Sequence, residues 1–560
     1  MGNSEAELKM SVDAQTMARM RRHPLIKAHR QGRAVTKSQY SVYFDTEDLT
    51  LARQGIVLRV RKVGDKRLQT VKTEGHRTAG LFQRGEWEAE IQGDRPNLAP
   101  LLDGEWGEIF GVEGLAERLR PLFATDVRRT IHILANPGWE VELCFDEGEI
   151  LLLDEAGQAG AGQTGAGQTG AGQTGGERLP ISEIEIELKK GAPAHLYSLG
   201  RVLQDELPAR LMSSSKSDRA FALIRDLRAR SEKAKPVRLT AEMSVADAFQ
   251  AIGRSCLHHM LANQDCLIES RDPEGVHQMR VALRRFRSAL NVFKPLVGTP
   301  QALRIRGEIK WLLDHLGPAR DIDVFIKEML DPVAERFPDH GLGSLRDYFQ
   351  QRRDAHYQTA LAALASPRFT SLALEWGAWI EAGDWLGPLE EMPPEAASLL
   401  AMPILHYAER DLERRHRRVR RAGEDLRLLA PEIRHGVRIL VKRLRYGAEF
   451  FSCLYPERRV TRFTAAMADV QDTLGGLNDI AVAHQLLAET VASASPAPKA
   501  KAGAKGKGGT EPKSAPEDWH DRIWAAGLIA GFNEARSDSL LAQACEAWDR
   551  FGETPRFWRR

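Results

Sequence analysis

Residues 5–9 read Glu5-Ala6-Glu7-Leu8-Lys9, and residues 182–189 read Ser182-Glu183-Ile184-Glu185-Ile186-Glu187-Leu188-Lys189. Side chains along a strand point alternately to opposite faces. Glu5, Glu7 and Lys9 therefore share one face, with Ala6 and Leu8 behind. In the later stretch Glu183, Glu185, Glu187 and Lys189 share a face, backed by Ile184, Ile186 and Leu188. Arg59 and Arg61 repeat the pattern against Leu58 and Val60, and Glu86, Glu88 and Glu90 line one side of their own segment. Polar and apolar residues alternate in any half-exposed sheet. Ladders of like charge are different, because neighbouring carboxylates repel unless a cation lies between them. Carboxylates paired across two strands suit a hard cation such as Mg²⁺ or Mn²⁺. Arg and Lys on adjoining strands suit phosphate oxygens. A closed antiparallel barrel with a charged interior accounts for both sets.

The rest of the composition sets limits. The 560 residues are 42% hydrophobic and 28% charged, with 79 Lys+Arg against 77 Asp+Glu. That excludes a wholly disordered chain, a collagen and a small disulfide scaffold. Five scattered cysteines without a CxxC pair point to a reducing compartment and away from a cysteine zinc site. The apolar run Ile523–Phe532 is too short to span a membrane. The polar N-terminus lacks the build of a signal peptide, so the expected location is cytoplasmic. Residues 157–176, with tandem AGQTG units, read as a flexible insertion inside a domain, and 495–516 as a Lys/Gly/Pro/Ala linker. Near residue 230 period-two segments give way to long stretches of helical spacing.

The strand-rich half resembles the CYTH superfamily, the triphosphate tunnel metalloenzymes. ExExK at the N-terminus is followed in order by VYFDT (42–46), GIVLRVR (55–61), QTVK (69–72), FQRGEWE (82–88), PLFATDVRR (121–129), the segment 141–146, IEIEL (184–188) and Ser215-Lys216. The likeness covers about residues 3–226. It implies an eight-stranded antiparallel tunnel that hydrolyses or rearranges a triphosphate with Mg²⁺ or Mn²⁺. Carried over by position, it implies a metal shell of Glu5, Glu7, Asp146, Glu185 and Glu187. It implies a phosphate clamp of Lys9, Arg59, Arg61, Lys72, Arg84, Arg129 and Lys216, with Glu5, Glu7, Lys9, Arg59 and Arg61 as the catalytic set. Arg128 competes with Arg129 for the inward position, and Glu183 is an alternative structural acid.

The second half carries a repeat. His277-x-x-Arg280-x-x-x-Arg284-Arg285-x-Arg287 returns as His435-x-x-Arg438-x-x-x-Lys442-Arg443-x-Arg445, a shift of 158 residues. Leu316-Gly317-x-x-Arg320-Asp321-Ile322-x-Val324 returns at the same shift as Leu474-Gly475-x-x-Asn478-Asp479-Ile480-x-Val482. Two motifs with one offset indicate duplicated helical halves with a pseudo-two-fold relation. Positions 0, 3, 7 and 10 share a helix face, so His277, Arg280, Arg284 and Arg287 form one basic stripe. His435, Arg438, Lys442 and Arg445 form its twin. The stripes lack the interleaved Glu of a solvated helix, and arginine suits bidentate phosphate contact.

These motifs resemble the CHAD domain, over roughly residues 239–550. The resemblance implies two four-helix bundles facing each other across a basic groove that binds inorganic polyphosphate, with Arg285, Arg320 and Arg443 joining the stripes. Nucleic acid ranks behind polyphosphate: Phe286 and Tyr446 stand near the arginines but their spacing fits packing as well, and no helix-turn-helix, RNA-recognition or zinc-finger pattern is present. The expected architecture is multidomain α+β: a β tunnel with helices over 1–228, then an all-α duplicated-bundle domain over 239–560. The expected activity is metal-dependent hydrolysis of inorganic triphosphate, coupled to polyphosphate binding. The alternatives are a related enzyme acting on ATP or thiamine triphosphate, or a non-catalytic protein of polyphosphate granules. Oligomeric state is left open.

Overall fold

The computed structural model describes residues 5–73, 76–78, 80–103, 106–154, 157–158, 178–225, 229–338, 342–383, 385, 394–494 and 519–559. The side chains of Glu5 and Arg84, nearly all of the AGQTG insertion and the 495–516 linker lie outside the described residues.

The N-terminal half is one curled antiparallel sheet. Its strands are β1 (Glu5–Ser11), β2 (Arg30–Asp45), β3 (Ile56–Val63), β4 (Lys66–Thr73), β5 (His76–Thr78), β6 (Leu81–Arg84), β7 (Glu86–Ile91), β8 (Arg120–Asn136), β9 (Trp139–Leu152), β10 (Arg178–Lys190) and β11 (Arg210–Leu211). Hydrogen-bonded neighbours run β5-β6-β1-β10-β9-β8-β2-β3-β4-β7, with β11 on β1. Eight strands surround a central cavity: β1, β10, β9, β8, β2, β3, β4 and β7. Only Gly85 separates β6 from β7 in the chain. β6 pairs with β1 and β7 with β4, so the segment Leu81–Ile91 links the two ends of the path. β3 turns into β4 at Gly64, where φ is +60°, a conformation that costs glycine little. The AGQTG insertion connects β9 to β10, which are antiparallel neighbours with Arg178 opposite Leu151. It therefore joins two adjacent strand ends, between the strands bearing Asp146 and Glu185.

The C-terminal half is helical, and its duplication is visible in the helix starts. Val245–Ala262, Pro273–Val292 and Pro300–Val324 correspond to Ile404–Ala422, Pro431–Phe451 and Glu457–Ala494. Leu342–Ala365 and Pro367–Ala382 complete the first set, and Trp519–Glu534 and Ser537–Glu553 the second. Pro273, Pro300 and Pro431 each stand first in their helix, where a missing N–H costs nothing. Asp272 and Thr299 accept hydrogen bonds from the first-turn amides of Glu274 and Ala302. Among the described residues no helix is long and apolar enough to cross a membrane.

The two halves share one apolar core. Leu8 of β1, Tyr197 of helix Ala194–Glu206, and Leu374 and Trp376 of helix Pro367–Ala382 belong to a single buried cluster that continues through both helical sets. Helix Ala194–Glu206 packs directly on helix Pro367–Ala382. Gly377 leaves space for the Tyr197 ring, and Gly200 lies against both Leu8 and Leu374. Gln204 Nε2 donates to the Pro367 carbonyl at 2.9 Å, and Ser371 Oγ donates to Gln204 Oε1 at 2.6 Å.

Candidate active site

The curled sheet encloses a cavity of about 380 Å³. Alternation along each strand decides which side chains enter it. β1 contributes Glu7 and Lys9. β10 contributes Glu185, Glu187 and Lys189, and β9 contributes Glu142, Cys144 and Asp146. β8 adds Thr125, Val127 and Arg129, and β2 adds Gln39, Ser41 and Tyr43. β3 adds Val57, Arg59 and Arg61, β4 adds Lys72, and β7 adds Glu86 and Glu88. Ser215, Lys216 and Ser217, at the start of helix Lys216–Ile224, complete the wall. Seven Lys or Arg thus meet seven Asp or Glu. Five of the acids stand on β1, β9 and β10 with Lys9, Arg129, Lys189 and Lys216 among them, whereas Arg59, Arg61 and Lys72 stand on β3 and β4 beside Glu86 and Glu88 of β7.

The acidic side is a dense ionic cluster. Lys216 Nζ lies 2.8 Å from Asp146 Oδ2 and 2.9 Å from Glu185 Oε1, and it also pairs with Glu183. Arg129 grips Asp146 with Nε at 2.7 Å and Nη2 at 2.6 Å, and it reaches Glu185 as well. Lys9 pairs with Glu185 and sits 2.9 Å from Glu7 Oε2. Arg219 Nη2 holds Glu183 at 2.8 Å. Burial alone would raise the carboxyl pKa of Glu185, but Lys216, Lys9 and Arg129 hold it well below the usual range. Asp146 is lowered in the same way by Lys216 and Arg129 against its burial. For Lys9, burial opposes the charge, and Glu185 and Glu7 outweigh it, so its pKa rises.

Ligand atoms of Asp146, Glu183 and Glu185 lie within 4.8 Å of one another. Three carboxylates at that spacing are a hard-oxygen donor set that could hold a metal ion. The Lys216 ammonium pairs with all three of them.

The basic side is held differently. Arg59 Nη2 is 3.4 Å from Glu86 Oε1, and Lys72 Nζ is 2.8 Å from Glu86 Oε2. Arg61 Nε donates to Ser41 Oγ at 3.3 Å. Burial first, then Arg59, pushes the Arg61 guanidinium down to about 10.

The cavity therefore brings together Glu7, Lys9, Arg59, Arg61, Lys72, Arg129, Asp146, Glu185, Glu187 and Lys216. Of the two candidates on β8, Arg129 faces the cavity and Arg128 does not. Glu183, which alternation already placed on the same face as Glu185, joins the acid cluster beneath Lys216. Arg84 lies opposite Glu5 in the β6–β1 register, and the side chains of both are outside the described residues. Sequence reasoning did not select Tyr43, Ser41, Glu142 or Cys144. Alternation was their only signal, since each is two residues from another cavity residue on its strand.

In the helical half, the two stripe-bearing helices Pro273–Val292 and Pro431–Phe451 pack against each other. Arg284 acts electrostatically on both Arg438 and Lys442 across this contact. Burial, Arg438, Arg284 and Arg280 push the Lys442 amine down to about 7, against the opposing pull of Asp479. Arg280 is 7% exposed, donates to the Leu313 carbonyl at 3.2 Å and stands 3.8 Å from Asp321. His277 lies beside Arg320, which adds to burial in lowering its pKa. Arg306 acts on both Arg287 and Arg443, and Arg418 on Arg443, so these two extend the basic surface beyond the motifs, while Arg415, also near Arg443, is paired with Asp411. Arg445 is engaged by Glu449 at 2.8 Å and Gln471 at 3.0 Å, and His435 is exposed. Arg285 departs from the stripe: it is 4% exposed, over the Phe450 ring in the core.

Residues 3–221 match the CYTH domain family, and residues 251–488 match the CHAD domain family. An inorganic triphosphatase of Haemophilus influenzae is 30% identical over 185 residues, which is 33% of this chain and 45% of that protein. The chain thus spans under half the length of that relative. The solved CHAD domain of Ricinus communis is 29% identical, with a TM-score of 0.48 over 59% of this chain and 98% of that one. An adenylyl cyclase candidate from Hippeastrum, described as having a dominant triphosphatase activity, is 17% identical. Its TM-score is 0.27, over 40% of this chain and 95% of that one.

Proposed function

We propose that this chain, which carries a CYTH domain joined to a CHAD domain, hydrolyses inorganic triphosphate in the cavity of its curled sheet. The observation that carries this reading is one enclosed space lined by seven Lys or Arg and seven Asp or Glu side chains. A linear triphosphate is a compact polyanion with no apolar part. The cavity is at the small end for ligand pockets and is lined almost wholly by charged and polar groups. The one aromatic ring among its described lining residues, Tyr43, already stacks on Phe123 at 4.3 Å, which favours an inorganic substrate over a nucleotide or thiamine triphosphate.

In this reading Arg59, Arg61 and Lys72 hold the phosphate oxygens and stabilise the charge that grows on the departing phosphate. Lys9, its ammonium held by Glu7 and Glu185, acts as a fixed positive charge between substrate and acid cluster. Asp146, Glu183 and Glu185, with Glu7 and Glu187 beside them, would hold Mg²⁺ or Mn²⁺, which when bound neutralises phosphate oxygens and lowers the pKa of water. The basic surface around Arg284, Arg287, Arg438, Lys442 and Arg443 would bind inorganic polyphosphate and keep the enzyme where phosphate polymers accumulate.

The test is phosphate release from tripolyphosphate, ATP, thiamine triphosphate and long-chain polyphosphate, with Mg²⁺ or Mn²⁺, for the wild type and Glu7→Gln. Metal-dependent release from tripolyphosphate, lost in the variant, supports the reading. Preference for ATP or thiamine triphosphate moves the assignment to a related enzyme. No turnover, with long-chain polyphosphate bound tightly, leaves a binding protein only.

A further inference from the structure

Asp146, Glu183 and Glu185 each have more than one cation. Asp146 is paired with Arg129 Nη2 at 2.6 Å and Lys216 Nζ at 2.8 Å. Glu183 is paired with Arg219 Nη2 at 2.8 Å and with Lys216. Glu185 is paired with Lys216 Nζ at 2.9 Å, with Arg129 and with Lys9, and Lys9 also stands 2.9 Å from Glu7 Oε2. The four acids Glu7, Asp146, Glu183 and Glu185 thus face the four cations Lys9, Arg129, Lys216 and Arg219, and the cluster is electrically balanced as it stands. Lys216 touches all three of Asp146, Glu183 and Glu185, the set whose ligand atoms lie within 4.8 Å of one another. Its backbone is anchored: the Ser215 N–H donates to Asp218 Oδ2 at 2.7 Å, and the Asp218 N–H donates to Ser215 Oγ at 3.2 Å. The freedom that remains lies in the flexible stem of the lysine.

A divalent cation among these carboxylates would stand beside an ammonium that already occupies them, and like charges at that range repel strongly where water is scarce. Withdrawal of Lys216 with no new partner would leave a desolvated ammonium unpaired. A triphosphate supplies the partner, because its oxygens are anionic and Lys216 is part of the cavity wall. We infer that Lys216 is an internal counter-ion that exchanges its carboxylates for phosphate oxygens, so that a divalent cation and triphosphate bind this cavity interdependently. Lys216 holds down the metal affinity of the free protein, and each ligand raises the affinity for the other by the same factor, as linkage requires. Arg219 marks the contrast. It pairs with Glu183 but is not among the described residues that line the cavity, so it holds its acid with or without substrate.

This inference rests on the triphosphate reading, and its test separates the two. Calorimetry measures Mn²⁺ binding to the full chain alone and with a methylene-bridged triphosphonate, which is not hydrolysed, corrected for Mn²⁺ held by the triphosphonate in solution. Triphosphonate binding is measured with Mn²⁺ and with a chelator. The expected wild-type result is a Mn²⁺ Kd about tenfold tighter, or more, when the triphosphonate is present. Lys216→Met keeps the stem and deletes the charge. In that variant Mn²⁺ alone is expected to bind about tenfold tighter than in the wild type, and triphosphonate with chelator about tenfold weaker, so the mutual enhancement shrinks. Contact between metal and phosphate alone would give enhancement but would leave Mn²⁺ binding to the free variant unchanged. Arg219→Met is expected to leave triphosphonate affinity with chelator within about twofold. Lys216→Gln repeats the comparison if the methionine variant does not fold, and the wild-type arm needs no variant. Equal Mn²⁺ affinity with and without triphosphonate in the wild type, or unchanged or weaker Mn²⁺ binding in the Lys216 variants, overturns the inference, while wild-type release of phosphate from tripolyphosphate leaves the functional reading standing. If the wild type couples the two ligands but cleaves no tripolyphosphate, the reading as an enzyme fails and the inference stands. A wild type that binds neither ligand removes both.

Discussion

The Arg280 guanidinium lies against the bare backbone of Gly317, so close that a Cβ there would stand 2.8 Å from Nη1. The repeat preserves the relationship: at Gly475 the nearest atom is Nη2 of Arg438, at 3.7 Å. The two conserved spacings of the duplication are thus one device. A glycine on one helix makes room for an arginine of the stripe on its neighbour. The looser second copy accommodates a methyl group and the tighter first copy does not. Gly475→Ala is expected to stabilise the protein by about 0.5–1 kcal/mol through helix propensity. Gly317→Ala is expected to destabilise it by about 1 kcal/mol net, because overpacking displaces a buried guanidinium bonded to the Leu313 carbonyl. Urea denaturation of the two variants measures the difference, and equal effects would contradict this account.

Lys216 is the ammonium at the centre of three buried carboxylates, Asp146, Glu183 and Glu185, which are 0%, 1% and 6% exposed. Removing one partner of a buried ionic cluster leaves uncompensated charge. Lys216→Ala is therefore expected to cost about 3–5 kcal/mol in the presence of a chelator. Mg²⁺ or Mn²⁺ should recover more stability in this variant than in the wild type, since a cation takes up the vacated role. Thermal denaturation with and without metal reads both effects.

Lys442 titrates where binding can be followed. Burial and the guanidiniums of Arg438, Arg284 and Arg280, only partly offset by Asp479, bring its amine to about 7. Below that pH the amine is charged, and above it neutral. A bound polyanion favours the charged form, so binding takes up a proton. Polyphosphate affinity is expected to fall between about pH 7 and 9, by at most tenfold per unit. Lys442→Arg, charged throughout, should flatten the profile. Calorimetry in buffers of different ionisation enthalpy detects the proton directly.

Gly377 faces the Tyr197 ring so closely that a Cβ would come within 2.3 Å of it. Gly377→Val therefore forces apart the helices that join the two halves, at about 1–3 kcal/mol. Because the core is continuous across the junction, the wild type is expected to unfold in one transition and the variant in two. Scanning calorimetry distinguishes them.

The sequence by itself determined which side chains share a face. Period-two alternation grouped Glu7 with Lys9, Arg59 with Arg61, and Glu183 with Glu185 and Glu187. Helical spacing and the 158-residue shift established the paired basic stripes. These are local properties, set by strand pleat and helix pitch, so they survive without a fold. What only the tertiary structure decided is which faces turn inward and which distant faces meet. Arg129 rather than Arg128 enters the cavity because β8 is locked in register between β2 and β9. Arg285 leaves its stripe because the helix turns that side toward Phe450. Ser41 and Arg61 are brought together by a register between two strands, and Lys216 gains its acids from residues up to 70 positions away. Those pairings depend on closure of the sheet and on packing of the duplicated helices, where side-chain volume and buried charge across long separations fix the register, and no local pattern carries that information.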